Sequence, residues 1–351
     1  MTRPKKTLLV GAGKMGRNHL RVLTEDKRFT VGAVVDPRAK QLFPEPGSFR
    51  VATTLEEVLD EPWDCAVVAT PTGSHAECGR ALLGRRIPTL MEKPLAESPP
   101  VCAELVALSR ELGVPLAVGH LERFNPAVRK ATEVLRAGWI GTPIHFSFTR
   151  VGGYPEGIQP GNNVLLDLAV HDLDILRTMV GPVAVHAAMC HSTWKPGVLD
   201  TAEILLSSEA GPSASIHVNW VTPTKIRSLR ITGTRGVCFV DYMLQTCHMM
   251  GGNLLKRRFR DDLDYASFVE EYRSSDRVEF GIAKQEPLRA QLDELHRLLT
   301  GQPSEVCAAD DAAAAVTCVA EALRIAEHYT HGPQNTAQSS PPSPPESARK
   351  P

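Results

Sequence analysis

Apolar runs alternate with helical segments over the first 120 residues of the chain. Two of the helical segments end near glycines, Gly84 and Gly113, and a short apolar run follows each of them. Because two neighbouring parallel strands need a crossover helix between them, this rhythm predicts an α/β fold with a parallel, doubly wound sheet. The predicted strands are 5–10, 31–35, 65–69, 89–91 and 116–118, and the predicted helices are 15–23, 77–83 and 100–112.

The pattern changes after His120, where strand-like segments follow one another between Gly-Pro, Gly-Thr and Pro-Thr turns. Strands without crossover helices favour an antiparallel arrangement, so we predict a second, α+β domain with a largely antiparallel open sheet. The expected domains are 1–120, 121–330 and a Pro- and Ser-rich disordered tail at 331–351. The predicted strands are 144–148, 184–193, 201–208, 213–221, 226–232 and 237–243, and the predicted helices are 126–137, 163–174, 286–299 and 309–329.

A glycine-rich turn follows the first predicted strand. Gly11, Gly13 and Gly16 form G-x-G-x-x-G, with Lys14 and Met15 in its variable positions. The first glycine permits a tight turn, the second lets a pyrophosphate approach the backbone, and the third lets the helix lie close to the strand. Free N–H groups at the helix start then face an anion. The motif predicts a dinucleotide site in a Rossmann domain, and the alternative is a turn whose glycines serve packing alone.

Asp36 lies twenty residues past the last glycine, at the end of the second predicted strand. A carboxylate there accepts a hydrogen bond from the ribose 2′-hydroxyl of NAD and repels the 2′-phosphate of NADP. Arg38 is close enough to weaken this preference. We therefore expect NAD as the cofactor and NADP as the less favoured one.

Two polar turns follow the strands at 65–69 and 89–91. The first carries Thr70, Pro71, Thr72 and His75 at the strand end that faces the cofactor in this topology. The alternative for this turn is a helix start with Thr72 or Ser74 as the N-cap. The second turn is Glu92-Lys93-Pro94, where the lysine is placed to hold a substrate hydroxyl and its developing charge. The alternative here is a solvated lysine.

A third polar feature interrupts the apolar helix predicted at 163–174. Asp167 and His171 share one helix face at i and i+4, and Asp174 follows His171 at i+3, where it is placed to orient the imidazole. Histidine suits acid–base work because its free pKa lies closest to neutrality. The alternative is a core histidine with a structural carboxylate.

Composition and charge narrow the class of protein. The 351 residues are 42% apolar and 23% charged with net charge −1, which fits a globular protein and argues against a nucleic-acid partner. The apolar run after Lys6 is too short for a signal peptide, and no stretch has the length of a membrane span. Eight cysteines without C-x-x-C spacing indicate free thiols in a reducing cytoplasm. Cys190-His191 and Cys247-His248 lack metal-ligand spacing, so we expect no metal.

These motifs together resemble those of the Gfo/Idh/MocA oxidoreductases, and the resemblance covers nearly the whole chain before the tail. It rests on Gly11–Gly16, Asp36, Ala69–Pro71, Glu92–Pro94 and the Asp167-x3-His171 motif. The resemblance implies that Lys93, Asp167 and His171 act on a hydroxyl of a sugar or polyol. The expected cofactor contacts are Gly11, Gly13, Lys14, Met15, Gly16, Asp36, Arg38, Thr70, Pro71, Thr72, His75, Glu92 and Lys93.

A narrower resemblance, to UDP-N-acetylglucosamine 3-dehydrogenases, lies in residues 118–128, 219–227, 232–236 and 241–242, whereas 151–162 departs from it. It implies oxidation at C3 of a nucleotide-linked hexose. Arginine suits bidentate phosphate contacts, so a diphosphate would find donors among the basic residues, although each is also explained as a solvated charge on a strand face. The expected substrate contacts are Lys93, Arg123, Asn125, Arg150, Asp167, His171, Lys225 and Arg227.

Other functions remain open from the sequence. Within the family the alternatives are an inositol or free-sugar dehydrogenase and a sugar ketoreductase, and outside catalysis the alternative is an NAD(P)-binding regulator. The family resemblance and an open sheet face predict a homodimer or homotetramer. The expected partners are therefore a sugar or nucleotide-sugar and further copies of the chain, with no membrane or nucleic acid.

Overall fold

A computed structural model describes residues 3–45, 47–153, 158, 163–251 and 276–329. The predicted tail at 331–351 and most of 151–162 lie outside the described residues. In the described part of the chain the strands form two sheets. The first has the order β15-β6-β5-β4-β1-β2-β3 and is parallel except for β15, which pairs antiparallel with β6. Its strands are β1 (Lys5–Val10), β2 (Phe29–Val35), β3 (Arg50–Ala52), β4 (Cys65–Val68), β5 (Thr89–Met91), β6 (Leu116–Val118) and β15 (Cys307–Ala308).

The second sheet has the order β14-β13-β12-β11-β7-β10-β9-β8. Its neighbouring strands are antiparallel except β7 and β10, which run parallel. The predicted combination of a parallel and a largely antiparallel sheet is therefore confirmed. The strands are β7 (Pro143–Val151), β8 (Val183–His191), β9 (Thr201–Ser208), β10 (Ser213–Asn219), β11 (Ile226–Gly233), β12 (Gly236–Asp241), β13 (Thr246–Gly251) and β14 (Asp276–Glu279).

Helices cover both faces of the first sheet and one face of the second. A π-helical turn, Leu165–Ala169, leads directly into α6. None of the helices in the described residues combines the length and the apolar character that a membrane span requires. The helices are α1 (Lys14–Glu25), α2 (Ala39–Leu42), α3 (His75–Gly84), α4 (Pro99–Leu112), α5 (Pro126–Arg136), α6 (Val170–Val180), α7 (Pro287–Leu299) and α8 (Ala309–Tyr329).

The last part of the described chain returns to the first sheet. Helix α7 packs its leucines, Leu288 among them, into the apolar cluster that also holds Leu9 and Val22. Helix α8 packs against α4 beside the first sheet and against β8 of the second. One apolar cluster consequently contains residues of both sheets, among them Leu8 of β1 and Phe146 of β7. The division into residues 1–120 and 121–330 stays a prediction.

Candidate active site

The glycine turn lies between β1 and α1, and two of its glycines have no room for a side chain. Gly11 has φ +96°, and a Cβ on it would lie 2.5 Å from the carbonyl oxygen of Ala69. A Cβ on Gly16 would lie 2.0 Å from the carbonyl oxygen of Gly11. At Gly13, by contrast, a Cβ would meet nothing within 4 Å among the described residues. Two glycines thus pack the turn, while the third leaves open space beside the helix start.

The start of α1 fits an anionic ligand. Gly13 is the N-cap and has no side chain to accept from the first N–H groups of the helix, while Lys14 is exposed and Met15 half-buried. Uncapped N–H groups at a helix N-terminus bind phosphate readily. The open space at Gly13 and these donors together fit the pyrophosphate of a dinucleotide.

Asp36 lies at the end of β2, the strand next to β1. Its Oδ2 accepts from the backbone N–H of Ala12 at 2.9 Å, and its Oδ1 accepts from the N–H of Arg38 at 2.8 Å. These two bonds fix a buried carboxylate beside the glycine turn, and each oxygen retains a lone pair for a ribose hydroxyl. The guanidinium of Arg38 is exposed, with Nε 3.7 Å from the carboxylate.

The turn after β4 leads directly into a helix. Thr72–Ser74 is a 3₁₀ turn, and Ser74 is the N-cap residue of α3, as the alternative predicted, although its hydroxyl makes no capping hydrogen bond. His75 is 1% exposed, with Nδ1 2.9 Å from the carbonyl oxygen of Pro94 and Nε2 3.1 Å from that of Thr70. The imidazole therefore ties two loops together, and its position does not support a cofactor contact. Thr70 and Thr72 are half-buried and Pro71 is exposed at the same strand end.

Glu92 likewise has a structural partner that the sequence did not reveal. Its Oε1 lies 2.8 Å from Nε2 of His19, a residue of α1 with no exposed surface. Burial alone would raise the pKa of Glu92, but the hydrogen bond and charge of His19 outweigh it and lower the pKa. A Cβ on Gly119 would lie 3.1 Å from this carboxylate. The Glu92–His19 pair thus locks α1 to the end of β5, and the expected cofactor contact of Glu92 is not supported.

Lys93 follows Glu92 through a loop that contains a cis peptide bond before Pro94. Its Nζ donates to the carbonyl oxygen of Asp167 at 2.8 Å and to Oδ1 of Asp167 at 2.9 Å. The other carboxylate oxygen accepts from Nε1 of Trp220 at 3.1 Å. Burial alone would raise the pKa of Asp167, but the charge of Lys93 outweighs it and lowers the pKa. The structure thus joins two of the three predicted catalytic residues, one from the loop after β5 and one from the π-turn, in one ion pair.

His171 is the third predicted catalytic residue and follows the π-turn that carries Asp167. Its Nδ1 is buried and has no hydrogen-bond partner among the described residues. Burial lowers the pKa of His171 well below its usual 6.5, and the positive charges of Lys93 and Arg150 lower it further. The imidazole is therefore neutral at pH 7, the state that accepts a proton.

The prediction that Asp174 orients His171 is wrong. Both carboxylate oxygens of Asp174 accept from Arg123, at 2.8 Å from Nε and 2.6 Å from Nη2. The buried Cys307 lies 3.6 Å from the same carboxylate. Arg123 has only 12% of its side chain exposed, and its Nε and Nη2 donate to Asp174 and Asp311, so its expected contact with a diphosphate is not supported.

Arg150 is a second predicted phosphate ligand whose donors are already bound. It is 2% exposed, donates to both oxygens of Asp172 at 2.8–3.0 Å, and donates to Glu122 at 2.8 Å. Burial alone would lower the pKa of this guanidinium, but the charges of Asp172 and Glu122 raise it. Strand β7 needs this pairing because Arg150 faces the core. The expected substrate contact of Arg150 is therefore also not supported.

Of two other predicted substrate contacts, Asn125 is buried at a helix start and Lys225 is exposed. Asn125 is the N-cap of α5, where Oδ1 accepts from the N–H of Ala127 and Nδ2 donates to the carbonyl oxygen of Tyr242 at 3.0 Å. It is 3% exposed, yet it reaches the wall of a neighbouring cavity. Lys225 is exposed at the start of β11. Asn125 therefore shapes the wall chiefly by holding α5 in place.

Arg227 is the remaining predicted phosphate ligand, and it lies directly opposite Arg150 in the pairing of β11 with β7. It is half-buried, and no described residue makes a hydrogen bond or ion pair with its guanidinium. Burial lowers its pKa, and the charge of Arg150 adds to the effect. Arg227 lines a cavity of about 380 Å³ together with Met15, Asn18, Arg21, Leu121, Glu122, Asn125, Tyr242, Met243, Gln245, Glu286, Pro287 and Leu288.

One group of possible metal ligands occurs among the described residues. The donor atoms of His120, Asp174 and Cys307 all lie within 4.8 Å of one another. Arg123, however, already occupies both oxygens of Asp174 with its positive guanidinium. This donor set does not fit a divalent ion, because the cation would have to compete with that pair.

The comparisons with known proteins agree with this fold and site. A family model described as "Oxidoreductase family, NAD-binding Rossmann fold" matches residues 5–120, and the GFO/IDH/MocA C-terminal domain model matches residues 128–238. The first match defines the class as NAD-binding oxidoreductases. Because the two models together cover more than half of the chain, the protein belongs to the Gfo/Idh/MocA family. It is an enzyme of that family, and its cofactor is NAD.

Relatives within the family are named for several activities. The chain is 29% identical over 250 residues to scyllo-inositol 2-dehydrogenase (NAD(+)) of Bacillus subtilis, which covers 66% of this chain and 72% of the relative. It is 24% identical to UDP-N-acetylglucosamine 3-dehydrogenase of Acidithiobacillus ferrooxidans, over 70% of this chain and 76% of the relative. An oxidoreductase of Agrobacterium radiobacter, solved with NAD+, L-tartaric acid and magnesium, shares the fold with a TM-score of 0.79 and 21% identity, over 93% and 97% of the two chains.

Proposed function

We propose that this protein oxidises a secondary hydroxyl of a sugar with NAD+. The observation that carries the proposal is the ion pair of Lys93 with Asp167. Asp167 lies one helical turn before His171, whose imidazole is neutral. The glycine turn follows β1, and Lys93 follows β5. Both strands belong to the parallel first sheet, so their carboxyl ends lie on the same side of it. A substrate bound at Lys93 therefore lies near the cofactor.

The chemistry divides between the cofactor and three side chains. Bound NAD+ supplies the acceptor for the hydride that leaves the substrate carbon. His171 accepts the hydroxyl proton as that hydride leaves, and its low pKa keeps it ready to do so. Lys93 hydrogen-bonds the same oxygen and stabilises its developing negative charge. Asp167 orients the lysine and, through its remaining lone pairs, holds a neighbouring hydroxyl.

We further propose that the substrate is a nucleotide-linked amino sugar oxidised at C3, as in UDP-N-acetylglucosamine. The support is Arg227, which lines a cavity and makes no hydrogen bond or ion pair with the described residues. A partly desolvated arginine binds an anion more strongly than an exposed one does, and its planar fork fits a diphosphate. The related dehydrogenase of Acidithiobacillus ferrooxidans, which by its name acts on this nucleotide sugar, adds support.

The test is NADH formation on UDP-N-acetylglucosamine, free N-acetylglucosamine and the inositols. We expect turnover of the UDP-linked sugar alone. Arg227→Gln should raise its KM by about 10- to 100-fold, the scale of a charge-assisted hydrogen bond. Arg230→Gln is the matched control, because Arg230 lies on the same strand but is exposed. Equal turnover of free and UDP-linked sugar would remove the diphosphate role, and no NADH on any sugar would contradict the dehydrogenase function.

An inositol or free-sugar dehydrogenase is the second candidate. The observation that favours it is the 29% identity to scyllo-inositol 2-dehydrogenase, which exceeds the identity to the UDP-sugar enzyme. The same site also serves a ketoreductase, because proton and hydride transfer are reversible at His171 and the cofactor. A non-catalytic NAD(P)-binding regulator is disfavoured by the presence of all three catalytic side chains. The substrate panel, run in both directions, separates these functions.

We also propose that the protein is a cytoplasmic homodimer or homotetramer. All eight cysteines are free and buried, as expected in a reducing compartment. The open face of the second sheet carries the exposed apolar side chains Met189 and Leu205. A second copy on that face would remove them from water. Light scattering on the purified chain tests the oligomeric state.

A further inference from the structure

His120 touches both His171 and the carboxylate of Asp174. Its ring meets that of His171 edge to face, with the centroids 6.3 Å apart and the planes at 82°. Its Nδ1 lies 3.7 Å from Oδ2 of Asp174. His120 is 1% exposed and follows β6, the strand next to β5. The two residues that the sequence placed in direct contact, His171 and Asp174, are thus connected through a third side chain.

The imidazole nitrogens in this cluster are buried without hydrogen bonds to the described residues. They are Nδ1 and Nε2 of His120 and Nδ1 of His171. Buried polar atoms without partners are uncommon in proteins, and they concentrate where function requires them. Because the three atoms lie on two neighbouring rings, a protonated nitrogen of one ring can serve as the donor for an unprotonated nitrogen of the other.

The carboxylate of Asp174, next to His120, is held in place by Arg123. Arg123 holds both oxygens of Asp174, so this carboxylate stays ionised and in place. An anion 3.7 Å from Nδ1 favours the tautomer of His120 that carries its proton on Nδ1. The lone pair of a neutral His120 then lies on Nε2, which makes that nitrogen an acceptor.

His171 needs such an acceptor. To take a proton from the substrate, it must present one nitrogen without hydrogen, so its other nitrogen carries the ring proton. Nδ1 is the buried nitrogen of His171 that lacks a partner among the described residues, so it is the one to which we assign the ring proton. Asp167 is not its acceptor, because Nδ1 of His171 makes no hydrogen bond with any described residue.

We propose that His120 is a positioning residue that holds His171 in its reactive tautomer. Nε2 of His120 accepts the Nδ1 proton of His171 through one bridging water, since the ring separation is too long for a direct bond. The proton taken from the substrate stays on Nε2 of His171, and none passes to His120 or Asp174. This inference rests on the proposed role of His171 as the base.

The surrounding charges set the direction of a pH effect. His171 faces the cations Lys93, Arg150 and Arg227, which oppose its protonation. His120 faces Asp174 and Glu92 as anions and Arg123 and Lys93 as cations. An acceptor on Nδ1 stabilises the imidazolium of His171. Removal of that acceptor should therefore move the acid limb of kcat/KM to lower pH.

The test compares His120→Phe, which keeps an aromatic ring, with His120→Gln, whose amide oxygen reaches the position of Nε2. The control is Cys307→Ala, which touches Asp174 from another residue and leaves His120 intact. Each variant is first tested for a normal thermal shift with NAD+. We expect His120→Phe to lower kcat about tenfold with KM unchanged and to shift the acid limb by about one pH unit. His120→Gln should recover part of both, and Cys307→Ala should match the wild type.

A second measurement does not depend on turnover. Nitrogen-15 NMR of the histidine side chains, with His171 assigned by its loss in His171→Asn, reports the tautomer of the free enzyme. We expect the Nδ1–H tautomer in the wild type and a mixture in His120→Phe. An unchanged tautomer and an unchanged pH profile would overturn the proposal even if the enzyme oxidises sugars. Bound metal in the wild type that Cys307→Ala removes would overturn it in favour of a metal site.

Discussion

Nζ of Lys93 donates to Asp167 twice, to the main-chain carbonyl at 2.8 Å and to the carboxylate at 2.9 Å. The two residues are far apart along the chain, with Lys93 in the loop after β5 and Asp167 in the π-turn before α6. A π-turn often occurs at a functional site, because it redirects the carbonyl groups of a helix. Here the π-turn contains the residue whose carbonyl and carboxylate both bind the lysine.

Replacing Lys93 should impair the chemical step more than folding. We expect Lys93→Met to lower kcat by about 10²–10³-fold, the scale for losing one group that stabilises an oxyanion. Lys93→Arg should not restore activity, because a guanidinium lacks the compact shape of the ammonium. Steady-state kinetics with saturating NAD+ checks both. A Lys93→Met enzyme with near-normal kcat would show that this lysine is structural.

His171→Ala should lower turnover by about 10²–10⁴-fold, the range for a positioned acid–base group. The affinity for NAD+ should be unchanged, because the glycine turn and Asp36 do not contact this residue in the described hydrogen bonds. Single-turnover kinetics and a thermal shift with NAD+ measure the two effects separately. Near-normal kcat in this variant would remove His171 from the mechanism.

The pH dependence should follow the pKa of His171. Oxidation requires the neutral imidazole, so kcat/KM falls as the pH drops through that pKa. Since burial and neighbouring cations hold the pKa well below 6.5, the acid limb should lie below pH 6.5. A profile of kcat/KM from pH 4.5 to 8 locates the limb. A limb at or above pH 6.5 would mean that another group titrates.

Two glycines of the same turn should respond in opposite ways to alanine. Gly13→Ala has open space for its Cβ, so the free energy of unfolding should change little while NAD+ affinity falls. Gly16→Ala places a Cβ 2.0 Å from the carbonyl oxygen of Gly11, so it should destabilise the fold by about 1–3 kcal/mol. Urea unfolding and NAD+ titration distinguish the two. Equal loss of stability in both would contradict an open space at Gly13.

Asp36 should set the choice between the two nicotinamide cofactors. Replacing it by Ser removes the charge that repels a 2′-phosphate and leaves Arg38 two residues away. We expect Asp36→Ser to lower kcat/KM for NAD+ and to raise it for NADP+. Arg38→Gln is the companion variant and should not improve NADP+ use. The ratio of the two kcat/KM values is the readout, and an unchanged ratio in Asp36→Ser would exclude Asp36 as the selector.

The sequence revealed the parts of the fold that repeat a strong local pattern. Strands β5, β6 and β9 and helix α8 have the predicted bounds, because an apolar run or an apolar helix face defines each. Strand β3 was missed, so the strand at 65–69, counted third from the sequence, is the fourth. Arg50–Ala52 has three residues at a sheet edge and only one of them is buried, which leaves no apolar run to detect. Strands β14 and β15 are also short, with four and two residues. Strand β13 was missed although buried and partly exposed residues alternate along it.

In the candidate site, too, the sequence revealed residues that lie in local motifs but not their long-range partners. Lys93, Asp167 and His171 lie in short motifs that the sequence revealed, but the hydrogen bonds between Lys93 and Asp167 were not predicted. The partners of His19, Arg123 and Arg150 lie 73, 51 and 22 residues away along the chain. Such distances are set by tertiary packing, so no local spacing separates a buried, paired arginine from a phosphate ligand. Lys225 and Arg227 make no hydrogen bond or ion pair with the described residues, and their phosphate contacts stay predictions.

Strand β15 adds a topological constraint to the active site. By pairing with β6, the chain near Cys307 covers the sheet edge that residues 1–120 alone would expose. A fragment ending at 120 would present an unpaired strand and the uncovered side of α4, and we expect it to aggregate. The first sheet is therefore completed only after residues 121–306 have been made. Asp167, the partner of Lys93, is synthesised well before β15. The sheet next to Lys93, however, receives its last strand only when Cys307 and Ala308 have been made.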